Sequence, residues 1–275
     1  MKNFAVLFQM DIESVMRSKW FWGYSFVLVA AIALTFASGV TDSRVMGFTG
    51  LTRLLLIFIQ ACNLVLPIFI MVSTVRTLVQ ERETNVFEYL LSYPIGLGQY
   101  YWARTLSRFV IMAAPLVVAL LLAAVFSLLK GQQVPWSLIA VYSGLLVASA
   151  FYYVSLSFLI SSMVKTQEVG LAVVLLVWLT FAAFLDVAML GIMIKALVPE
   201  NVIFSLALLN PIQVFKISAI SLFDPVLSVL GPVSYFILDI FGNIWFLVYS
   251  YGYLFISGVI FSLLGYWRFS HKDLL

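Results

Sequence analysis

Few side chains in this sequence have the types and spacing for covalent chemistry. The single cysteine, Cys62, offers neither a disulfide partner nor a thiolate cluster. The single histidine, His271, lies in the tail, and no HExxH motif occurs. No GxxxxGK[ST] phosphate loop is present, so ATP is not bound in that way. Intramembrane proteolysis needs paired aspartates or a serine–histidine pair, and Asp186 has no partner in the apolar tracts. Met189 and Met193 share a helical face, a spacing that suits a thioether copper site or plain packing, and packing is the commoner use. No metal site is assigned, and catalysis by this chain alone is not expected.

Two polar constellations remain. Glu81, Glu83 and Glu88 are three of the chain's twelve acids within eight residues. Gln60, Asn63 and Pro67 stand at i, i+3 and i+7 inside an apolar tract, on one helical face. Such residues serve equally as interhelical glue or as the lining of a path, and Asp186 joins them as a candidate. Counted from Val169 it lies about 26 Å along a helix, near the far interface.

The elements that position these residues follow from composition. Of 275 residues, 64% are hydrophobic and only 10% charged, far from the ~25% charged of a soluble domain. Lipid must be the solvent for most of the chain. The net charge of +3 is dispersed, which excludes a nucleic-acid footprint. Tracts of about 20 apolar residues predict an all-α membrane protein with six spans, near 20–41, 54–75, 109–129, 137–162, 169–194 and 243–265. Asp11 and Glu13 precede an apolar run too long for a signal peptide, which favours a retained first span. Residues 201–223 are apolar enough for a seventh span. With six spans and both termini cytoplasmic, ten basic residues fall inside and five outside, and that bias decides for six.

Three segments lie between or before the spans of this single domain, 1–275. Residues 1–19 predict an interfacial helix with Phe4, Leu7, Phe8 and Val15 on one side and Asp11, Glu13 and Arg17 on the other; a plain topogenic flank fits as well. Residues 76–108 form the longest inner segment, with a helix over 77–92 ended by Pro94, Gly96 and Gly98. Residues 196–239 form a long outer segment, apolar yet broken by prolines, expected as short interfacial helices. Within it Asn210, Pro211 and Phe215, with Lys216 at the rim, form an apolar outer surface that either lies in lipid or is a candidate contact for a partner.

The stretch QERETNVFEYLLSYPI, residues 80–95, resembles the coupling signature of the type-2 ABC-transporter permeases, and YWRFSHKDLL, residues 266–275, resembles their tail. The resemblance covers the whole chain. It implies a homodimer in the bacterial inner membrane and two separate ATPase subunits that bind ATP and Mg, with no cofactor on this chain. Glu81, Arg82, Glu83, Phe87, Glu88, Leu90 and Leu91 are then the ATPase-coupling residues. LLNPIQVFK, residues 208–216, is similar to the subgroup serving copper-site maturation of nitrous oxide reductase, which implies a periplasmic copper-assembly protein as a further partner. The alternative is an exporter permease for a lipid, drug or other apolar substrate.

Overall fold

The computed structural model describes residues 2–37, 51–84, 86, 89, 95–131, 134–184, 200–222 and 238–271. Every regular element named among them is helical. In chain order these are α1 (Lys2–Met16), α2 (Lys19–Ala37), α3 (Leu51–Glu83), α4 (Leu97–Leu129), α5 (Trp136–Met163), α6 (Gln167–Leu179), α7 (Glu200–Leu209), α8 (Pro211–Ser221) and α9 (Asn243–His271). A π-helical turn, Thr180–Phe184, extends α6.

Among the described residues five helices are long and apolar enough to cross a membrane: Ala61–Glu83 within α3, α4, α5, α6 with its π turn, and α9. The first expected span is the apolar helix α2, whose stretch Phe21–Ala31 is shorter. The fourth tract matches α5 to within a residue at each end. Others run on. The break expected between the second span and an inner helix is absent, because α3 is continuous to Glu83. Nothing between Pro67 and Glu83 is glycine or proline, so no residue there stops a helix. α3 and α4 have 33 residues each, about 50 Å at 1.5 Å per residue, against ~30 Å of hydrocarbon. Each therefore projects beyond the apolar layer, and it is these projecting ends that carry charge.

α5 is the hub, touching α3, α4, α6, α8 and α9. In its most apolar window 72% of residues are buried, against 11% for α6 and 22% for α9, which leaves those two to face lipid or another chain. Among the described residues the most extensive helix pairing is between α5 and α9, where small residues let the backbones approach. Ser262 donates to Ser155 at 2.8 Å, and the Tyr101 hydroxyl donates to the Ser262 carbonyl at 3.1 Å. A methyl on Gly265 would stand 3.2 Å from Leu159 Cα, with the Tyr101 hydroxyl closer still.

Gly265→Ala should therefore destabilise the protein by about 1–3 kcal/mol, the usual range for overpacking. Gly252, on the same helix, has open space for 4 Å around the point where a methyl group would stand, so Gly252→Ala should leave stability unchanged or raise it slightly. Thermal unfolding midpoints in detergent read both, and equal midpoints would refute the close α5–α9 contact.

Candidate functional site

The three consecutive residues Glu81, Arg82 and Glu83 end α3, and each reaches a different neighbour. Glu81 accepts from Arg104 on α4 in a part-buried ion pair. Arg82 donates to the Ser161 carbonyl on α5 at 3.5 Å, and its guanidinium lies 5.6 Å from the ring centroid of Phe269 on α9. Glu83 accepts from the backbone N–H of Gln167 at 3.0 Å and from its Nε2 at 2.6 Å. That N–H belongs to the first turn of α6, where free donors and the helix dipole favour a carboxylate. Thr166 caps the same turn by accepting from Val169. The end of α3 is thus fastened to α4, α5, α6 and α9 by three successive side chains.

A second cluster joins it through Arg104. Asp11 has no exposed surface, and it accepts from Arg104, from Ser107 and from Arg108, the last at 3.3 Å. Arg104, Ser107 and Arg108 stand at i, i+3 and i+4, so α4 presents all three on one face. The expected placement of Asp11 on the polar side of the first helix is corrected here. Leu7, Asp11 and Val15 are four apart, one stripe, and all three are buried where α1 packs on α4. The helix is amphipathic, with an acid in its inward face. Trp22 Nε1 donates to the Met16 carbonyl at 2.9 Å, which satisfies the C-terminal end of α1 at the elbow into α2.

Phe87, Glu88, Leu90, Leu91 and Asp186 lie outside the residues whose placement is described. So does the side chain of Gln60, while Asn63 is half-buried beside a cavity of about 10 Å³ that also borders Cys62, Ser149 and Phe215. That is room for about one water.

At the opposite end, residues 196–239 supply α7 and α8, short helices as expected. α8 is not superficial, and the contact expected there between Asn210, Pro211 and Phe215 and a partner is corrected. Asn210 is wholly buried, caps α8 by accepting from Ile212 at 3.0 Å, and donates to the Phe181 carbonyl at 2.9 Å. Pro211 is the first helical residue, where its missing N–H is harmless. Phe215 packs on Tyr142 with ring centroids 6.3 Å apart. Of the four, Lys216 alone is part-exposed. The structure keeps this group apart from the charged end, and it adds Asp11, Arg104, Ser107, Arg108 and Gln167 to the residues singled out by sequence. The spacings 7-11-15 and 104-107-108 were the available signal.

The sequence model of the ABC-2 family transporter proteins matches residues 5–274. The chain belongs to that family. As an ABC-2 permease it is a multi-pass membrane subunit, whose family works with separate ATPase subunits. It is similar to the "Probable ABC transporter permease protein NosY" of Stutzerimonas stutzeri, 22% identical over 232 residues, 82% of this chain and 83% of that one. The protein of the same name from Pseudomonas aeruginosa is 22% identical over 221 residues, 78% and 80% of the two chains.

In this permease, removing one partner from the buried cluster should leave the others uncompensated. Asp11→Ala should destabilise the detergent-solubilised protein by about 3–5 kcal/mol, and Arg104→Ala by a similar amount. The double variant should lose much less than the sum, and additive losses in denaturation measurements would show the two residues to be independent.

Proposed function

We propose that this chain is the membrane subunit of an ABC assembly in the bacterial inner membrane, coupling ATP hydrolysis in two separate subunits to transport or mechanical signalling across the bilayer. Two copies form the permease, each with six spans and both termini in the cytoplasm. The observation that carries this reading is the fastening of Glu81, Arg82 and Glu83 to four other helices. A push on the segment after Glu83 cannot move α3 alone. It reaches α4, α5, α6 and α9 through ion pairs and hydrogen bonds that act at short range.

The ATPase contact itself falls to Phe87, Glu88, Leu90 and Leu91, with Glu81, Arg82 and Glu83 as the transmitting base. Family membership supports ATPase partners, and the ten-to-five charge bias supports the orientation. The NosY likeness supports a place in copper-site assembly of nitrous oxide reductase, with ATPases of the NosF kind and a periplasmic copper-assembly protein of the NosD kind. A periplasmic partner would rest on the exposed Leu209 and the part-exposed Lys216, held by the buried Asn210 and Phe215. The polar residues Gln60, Asn63 and Asp186 remain candidates for an intramembrane face.

Phe87→Ala should cut recovery of the ATPase subunit with the permease about tenfold, the behaviour of a buried aromatic anchor. Glu83→Ala should leave recovery near wild type, because its partner is Gln167 of the same chain, but should reduce the permease-dependent ATPase rate. Co-purification and ATP hydrolysis by the reconstituted assembly separate the two. Wild-type rates from Glu83→Ala would remove the transmitting role, and full recovery with Phe87→Ala would remove the docking role.

A further inference from the structure

A cavity of about 230 Å³ opens between α1, α2, α3 and α4, beside the buried charge cluster. One end is polar, with Arg76, Arg108, Ser14 and Thr77, and Gln80 at the exposed rim. Much of the remaining wall is apolar, including Phe21, Phe69, Val72 and Met112, together with Ser18 and Ser73. Arg76 makes no hydrogen bond or ion pair among the described residues, and its Nε is buried without a partner. The Thr77 hydroxyl is buried in the same condition. Among the described residues Arg108 reaches Asp11 alone, at 3.3 Å, and Asp11 is already held by Arg104 and Ser107.

Among the described residues that line the cavity, the charged groups are Arg76 and Arg108, and no carboxylate is among them. Arg76 is a part-buried guanidinium with donors to spare, a costly arrangement unless an anion completes it. A phosphodiester carries one negative charge and accepts the forked bonds that arginine makes. The volume falls below the ~300–1,000 Å³ of sites that enclose whole ligands, so it suits a head group with the remainder outside.

We propose that this cavity binds the phosphodiester of an anionic glycerophospholipid, with Arg76 as its principal contact and Arg108 and Thr77 beside it. Bound there, the lipid bridges the elbow of α1 and α2 to the projecting ends of α3 and α4. Basic pockets between membrane helices commonly take lipid head groups in this manner. The same chemistry could reach the site as a soluble phosphodiester, and the experiment separates the two.

The purified full-length chain is equilibrated with mixed micelles of phosphatidylglycerol and phosphatidylcholine in equal amounts, and retained lipid is read by native mass spectrometry. Wild type should hold phosphatidylglycerol in preference, and Arg76→Ala should lower that retention about fivefold. Because Arg76→Ala could disturb the fold, Gln80 at the exposed rim supplies a milder pair. Gln80→Glu should weaken retention by repulsion, whereas Gln80→Lys should keep or raise it, a sign dependence that loss of structure would not give. Displacement by glycerophosphoglycerol, the head group without acyl chains, at concentrations equal to the lipid would assign the soluble source. Resistance to it would assign the lipid. Equal phosphatidylglycerol retention by wild type, Arg76→Ala and both Gln80 variants would overturn the site.

Discussion

A carboxylate with no exposed surface governs the arrangement of one end of this permease. Asp11 can be buried only because Arg104, Ser107 and Arg108 meet it from a single face of α4. Arg104 then has a second carboxylate, Glu81, on its other side, so α1, α3 and α4 share one charge balance. None of the three can shift by a turn without stranding a charge in a part-buried setting. The two 33-residue helices, α3 and α4, extend past the hydrocarbon to reach this cluster, which keeps its charges out of lipid.

The rest of the bundle is held by different means. Away from the charged end the neighbours are as apolar as lipid, so association depends on close packing and on a few hydrogen bonds. α5 and α9 meet through glycines and serines, with Ser155 and Ser262 paired at 2.8 Å. α8 is fixed by Asn210, which spends its carbonyl on its own helix and its amide on Phe181. Tyr249 and Tyr253 of α9 donate to the last carbonyls of α7, at 2.9 Å and 2.6 Å. Among the described residues the far end therefore carries two short helices clamped to the spans.

The proposed transmitting role draws on both ends. Tethers at the charged end gather four helices around the last turn of α3, and α9 passes from that cluster to the helices clamped at the other end. On the proposed function, a displacement introduced after Glu83 would enter α5, α6 and α9 through the side chains of Arg82 and Glu83. The glutamates themselves are engaged within the chain, so they are better suited to carry force than to greet a partner.

By itself the sequence determined the solvent and the helical class, because apolar runs of spanning length are local properties. It also located the Glu81–Glu83 triplet and the short helices around Asn210 and Pro211, since capping and helix-breaking chemistry act over a few residues. Only the tertiary structure decided which way those residues face. Whether Asp11 is solvated or buried depends on the phase of α1 against α4, and on three α4 side chains 93 or more residues away. Phe215 looked available because an apolar side chain in an outer segment has no local mark of burial; Tyr142, 73 positions earlier, is what covers it. Partners set by long-range packing are not written in the spacing of either segment alone, and for that reason the tethers of α3 had to be seen in three dimensions.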